Sequence, residues 1–88
     1  MNLNMTGIVE LDVHGMNAAN AISLINKEIS KAANSVYRIR VIHGYNRGTS
    51  IKDAIREEYS YGREPKVIRI ENGTNMGITE LVLREYYK

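Results

Sequence analysis

Apolar and polar residues alternate strictly along residues 8–14: Val9, Leu11 and Val13 fall on one side, Glu10, Asp12 and His14 on the other. A period of two with a single apolar side predicts a strand buried on one face. From Ala18 the period changes. Ala18, Ala21, Ile22, Ile25, Ile29 and Ala32 recur at helical spacing, with Asn17 placed to cap the helix and Asn34 to stop it. Residues 36–42 return to alternation, Tyr37, Ile39 and Val41 lying opposite Arg38 and Arg40. A second helix then starts from Thr49 or Ser50, with Ser50 and Asp53 approximating a capping box. Ile51, Ala54, Ile55 and Tyr59 form its apolar stripe, and Gly62 closes it. Pro65 marks the entry to a third strand at 66–70. The turn-forming cluster at 72–77 leads into a last strand at 78–84, antiparallel to the third.

The predicted order is βαβαββ. Helical crossovers place their flanking strands parallel. Two helices cannot cover both faces of a four-stranded sheet, and one side of the strands carries Glu10, Asp12, Arg38, Arg40 and Arg69. A sheet buried on both faces would instead read as continuous apolar runs. The expected fold is therefore an α/β two-layer sandwich, a four-stranded mixed sheet with two helices on one face. It forms one domain across residues 1–88, with its core at about 7–85.

Composition adds boundaries more than function. The chain has 88 residues, a net charge of +2 and no cysteine, so apolar packing alone must hold it. No apolar run approaches the roughly 18–20 residues that span a bilayer. The opening residues lack a signal-peptide pattern. A cytoplasmic protein with no membrane partner is expected, and the weak positive balance permits a nucleic-acid partner without arguing for one.

The chemistry concentrates in a repeated turn. Val13-His14-Gly15-Met16-Asn17 and Ile42-His43-Gly44-Tyr45-Asn46 share the pattern apolar-His-Gly-x-Asn, and they use both histidines of the chain. Both turns fall where a strand gives way to a helix, the edge at which open α/β sheets bind ligands. If the two strands are neighbours, roughly 5 Å apart, both imidazoles fall within reach of one bound group. Asp12, two residues before His14 on the same strand face, either orients that imidazole or pairs with Arg38 or Arg40. The loop from Gly44 to Gly48 contains Tyr45, Asn46 and Arg47 and runs into a helix N-terminus at Thr49, with Lys52 one turn in. Free N–H groups there favour an anion such as phosphate. The loop lacks the Gly-Lys-Ser/Thr ending of a P-loop, which excludes nucleotide hydrolysis of that type. Tyr45 is the tyrosine placed to stack on a base.

With these residues in view, the chain resembles the Smr (small MutS-related) domain family in its short stand-alone form. The resemblance rests on Leu11-Asp12-Val13-His14-Gly15 as the LDxHG start, on His43-Gly44 with Gly48 as the HGxGxG segment, and on Asn75-Met76-Gly77-Ile78-Thr79 as a late Asn-x-Gly-x-Thr stretch. It implies a fold akin to the C-terminal domain of a bacterial translation initiation factor, binding of DNA or RNA, and in several members DNA nicking or RNA cleavage. Asp12, His14 and His43 are then the candidate catalytic residues. Gly15, Gly44, Tyr45, Asn46, Arg47, Gly48, Thr49 and Lys52, with Arg38 and Arg40, are the candidate nucleic-acid contacts. The pattern departs from the family at Asn46, which stands where the middle glycine falls and bears on close backbone approach to phosphate.

As an endonuclease, the domain would use one imidazole as base and the other as acid, with Asp12 orienting His14. No cofactor is expected; a divalent ion through Asp12 is not indicated, because Mg²⁺ usually wants more carboxylates than this turn supplies. The alternative is a non-catalytic nucleic-acid-binding module using the same edge, and a protein-interaction domain ranks last.

Overall fold

The computed structural model describes residues 2–5, 7–45 and 48–85, with the side chains of residues 2–5 left aside. Its elements are β1 (Asn2–Met5), β2 (Ile8–Asp12), α1 (Ala18–Lys31), β3 (Arg38–Ile42), α2 (Ser50–Tyr59), β4 (Arg69–Asn72) and β5 (Ile78–Val82). The sheet order is β1-β2-β3-β5-β4. β2 and β3 are parallel, and β5 lies antiparallel between β3 and β4. The predicted βαβαββ core and its two helices are all present.

β1 extends this core by one edge strand that the alternation did not announce. Residues Asn2 to Met5 pair antiparallel with β2, Met5 opposite Ile8, through a tight turn at Gly7. Gly7 has φ +78°, and a Cβ there would lie 2.5 Å from the Tyr37 ring, so no other residue fits. β4 starts later than expected, at Arg69 rather than Lys66. The cause is a local turn after Pro65, in which the Val67 N–H donates to the Glu64 carbonyl at 3.0 Å.

Register sorts the strand side chains into two faces. Val9 pairs with Ile39 and Leu11 with Val41, while Leu81 pairs with both Ile39 and Ile70. These residues share one buried cluster with Ala21, Ile25 and Ile29 of α1 and Ile51, Ile55 and Tyr59 of α2. Both helices thus cover the same face, as the pattern predicts. Each fully buried aliphatic side chain there is worth about 1.5–3 kcal/mol. Tyr59, at the far end of α2, keeps its hydroxyl satisfied by donating to Asn26 Oδ1 at 2.6 Å. That burial pushes the phenol well above its ordinary range.

The other face carries the charges, tied to one another. Glu80 is nearly buried and accepts from Arg38 Nη1 at 2.5 Å and from Arg40 Nε at 2.9 Å. Arg38 also reaches Glu71 at 3.0 Å, Arg40 lies 3.8 Å from Glu10, and Arg69 joins Glu71 to Glu85. Arg69 and Arg38, in that order of effect, hold the Glu71 carboxyl below its ordinary value. Val82 sits in register between Arg38 and Arg69 and is buried beneath this lattice.

Candidate functional site

β2 and β3 both end at one edge of the sheet, and the two His-Gly turns begin there. The repetition is geometric as well as sequential. Gly15 has φ +81° and Gly44 has φ +75°, the left-handed region that glycine enters without strain. The turns are adjacent: a Cβ placed on Gly44 would lie 3.6 Å from His14 Cβ.

The histidines nevertheless occupy opposite environments. They stand 29 positions apart in the chain, whereas β2 pairs with β3 at an offset of 30, Ile8 facing Arg38. A slip of one residue exchanges the faces of a strand. His14 therefore continues the polar side of β2, with its side chain 70% exposed. His43 continues the apolar side of β3 and is only 6% exposed.

Asp12 grips His14. Its Oδ1 accepts from the His14 ring Nδ1 at 2.5 Å and from the His14 backbone N–H at 3.1 Å. The ring donor holds the Asp12 carboxyl below its ordinary value of 3.8, outweighing the opposing effect of partial burial. Because a carboxylate only accepts, the proton lies on Nδ1 and the Nε2 lone pair of a neutral ring is left outward. Of the two partners open to Asp12 from the sequence, the structure selects His14.

His43 spends both ring nitrogens inside the fold. Nδ1 donates to the Gly44 carbonyl at 2.7 Å, which fixes Nε2 as acceptor for the Thr79 hydroxyl at 2.8 Å. The backbone N–H groups of His43 and Gly44 both donate to the Gly77 carbonyl, at 2.9 and 3.0 Å. The Gly77 N–H in turn donates to Asn75 Oδ1 at 2.8 Å. A Cβ on Gly77 would lie 3.2 Å from Gly44 Cα, so the late Asn-Met-Gly-Ile-Thr stretch packs directly against the second turn. Asn75, Gly77 and Thr79 were absent from the expected site. Their signal was the motif itself, which the resemblance quoted without a role.

Between the turns and the helices lies an open cleft of 560 Å³, lined by residues 14–18, by His43, Gly44, Tyr45 and Gly48, and by Ser50, Ile51 and Lys52. The N-termini of both helices reach it. Asn17 caps α1, accepting from the Asn20 N–H at 2.8 Å. The cap of α2 differs from the expected Ser50–Asp53 box. Thr49 is the N-cap, but its hydroxyl donates to Asp53 Oδ2 at 2.9 Å and makes no cap bond to the first-turn N–H groups. Thr49 itself does not line the cleft, whereas Ser50 does. Two helix N-termini and the Lys52 ammonium give this cleft a positive character.

The expected site residues thus divide. His14, Gly15, His43, Gly44, Tyr45, Gly48 and Lys52 line the cleft, with Asp12 behind His14. Asn46 and Arg47 lie outside the described residues. Arg38 and Arg40 are not brought to the cleft: they sit on the opposite sheet face, engaged by Glu80, Glu71 and Glu10. Among the described residues no group of three or more His, Cys, Asp or Glu is gathered about a point where a metal ion could sit. No described helix is long and apolar enough to cross a membrane.

Fold and site define an open-faced α/β domain with its cleft at the carboxyl edge of a parallel strand pair. The Smr domain family model matches residues 11–79, and the chain belongs to that family. The matched span begins at Leu11, beside Asp12, and ends at Thr79, the partner of His43. The fold is shared with the crystal structure of the Smr domain of Thermus thermophilus MutS2, at a TM-score of 0.75 and 25% sequence identity. That likeness covers 86% of this chain and 98% of the other. No curated protein sequence matches the chain.

Proposed function

We propose that the domain binds a nucleic-acid phosphodiester in this cleft and that His14, oriented by Asp12, is the general base that cleaves it. The observation that carries the reading is the Asp12–His14 pair, joined at 2.5 Å on the lip of a cleft that two helix N-termini reach. Family membership supports the nucleic-acid partner. Phosphate oxygens suit the helix N-termini and Lys52, because fixed N–H dipoles and an ammonium stabilise the charge that builds on phosphorus-bound oxygens.

In RNA the nucleophile is the 2′-hydroxyl. His14 Nε2 takes its proton as the oxygen attacks phosphorus, Asp12 stabilises the imidazolium, and the bond to the 5′-oxygen breaks. The same imidazolium returns the proton to that leaving oxygen. A second imidazole is not needed, and His43 acts as a positioning residue because both its nitrogens are committed to Gly44 and Thr79.

The test uses wild type and His14→Ala on RNA and on supercoiled plasmid, with and without chelator. Cleavage is expected to fall by about 10²–10⁴-fold in His14→Ala while binding persists. Equal background rates in the two proteins would remove the catalytic role and leave a binding module. Wild-type binding that ignores salt concentration would remove the phosphate reading as well, since phosphate contacts release counterions.

A further inference from the structure

The two turns match at one more position. The residue after each glycine is large and apolar, Met16 in the first and Tyr45 in the second, and both line the cleft. Both are also exposed, Met16 at 39% and Tyr45 at 54%. A domain this small gains from every apolar side chain it can bury, so two left in water at one cleft call for a reason. Met76 is exposed too, in the turn that ends at Gly77. A side chain at Gly77 would lie 3.3 Å from Tyr45 Cδ1, so the bare glycine lets the tyrosine ring rest against that turn.

A phosphate alone has no use for such a surface. Its oxygens need the N–H groups and Lys52, and apolar neighbours give them nothing. A base attached to that phosphate has a flat, weakly hydrated face that an aromatic ring and a thioether both cover well. In a duplex those faces are stacked on neighbouring pairs and only edges and backbone are presented. The cleft therefore carries two chemistries side by side, one for an anion and one for an exposed π-face.

We infer that the cleft takes an unpaired nucleotide, its base held against Tyr45 and Met16 while its phosphate lies at the helix N-termini, so that single-stranded nucleic acid is the substrate class. The inference rests on the phosphodiester reading above and adds to it a subsite for the base. The Gly77 contact holds Tyr45 in place before the base arrives, which lowers the entropy cost of stacking.

The experiment measures fluorescence anisotropy of three labelled probes with wild-type protein: a single-stranded oligouridylate a dozen nucleotides long, the same length of abasic backbone, and a blunt duplex of that length. The oligouridylate is expected to bind roughly 5- to 150-fold more tightly than the abasic strand, the factor that one base–aromatic stack represents. Tyr45→Ala should lose a factor in the same range and Tyr45→Phe should keep it, while the abasic strand binds all three proteins alike. Equal affinity for natural and abasic strands, or preference for the duplex, overturns the base subsite and leaves phosphate binding standing. Absence of binding to every probe overturns both readings. The abasic comparison uses wild-type protein only, so it is independent of how any variant folds.

Discussion

The Thr79 hydroxyl donates to His43 Nε2 at 2.8 Å, joining the middle of β5 to the turn that follows β3. Both groups are buried, so the bond is made where water cannot replace it. Removing one partner strands the other. Thr79→Val is expected to cost about 1–3 kcal/mol, the penalty of a buried unsatisfied acceptor. Thr79→Ser keeps the hydroxyl and loses one methyl, about 1 kcal/mol. Urea midpoints of the two variants check this, and a Val variant as stable as Ser would refute the bond's structural role.

Asp12→Asn should impair cleavage without impairing the fold. An amide whose NH₂ faces the ring selects the tautomer with its lone pair on Nδ1, which leaves Nε2 protonated and unable to accept. The cleavage rate is expected to drop by about 10²–10⁴-fold, with affinity for RNA changed little. Single-turnover cleavage beside anisotropy binding separates the two effects.

The same residue gives a pH signature in stability. The Asp12 carboxyl titrates below 3.8 in the folded chain because the His14 ring donates to it. A folded value below the unfolded one means the contact stabilises fully above about pH 4–5 and is lost as the pH falls through the folded value. Wild type and Asp12→Asn should therefore differ in denaturation midpoint at neutral pH and converge in acid. The pair is largely exposed, so the difference stays under about 1 kcal/mol and shrinks with salt. A gap that widens in acid would contradict the assignment.

Arg38 and Arg40 should matter for stability and not for nucleic acid. Replacing both by Ala leaves Glu80 buried without a cation, expected to cost about 3–5 kcal/mol. Lys52→Ala should do the reverse, leaving stability nearly unchanged while lowering the slope of log K against log salt by about 1. Denaturation and salt titrations on the same proteins distinguish the two faces.

Much of this was legible in the chain. The alternation of Val9, Leu11 and Val13 against Glu10 and Asp12 gave a sheet with one covered face, and the helical stripes gave its cover. β1 was missed because Asn2-Leu3-Asn4-Met5 is short and rich in asparagine, which strands disfavour, and its pairing depends on β2 rather than on its own pattern. Arg38 and Arg40 looked like phosphate contacts because sequence shows a charge and hides its partner; Glu80, Glu71 and Glu10 lie up to 42 positions away. The asymmetry of the histidines was readable in principle. Continuing the period-two count past Ile42 puts His43 on the side of Ile39 and Val41, while the same count puts His14 beside Asp12. Two identical local patterns drew attention to their likeness instead of to the count.

That one-residue mismatch between motif spacing and strand offset makes chemistry and scaffold genetically separable. The first His-Gly copy touches solvent and can be altered to change what the domain does. The second is walled in by Thr79 and Gly77, so its alteration reports on whether the domain exists at all. A library that randomises only the exposed copy explores new reactivity on an intact frame, and one that randomises the hidden copy selects for repair of the frame.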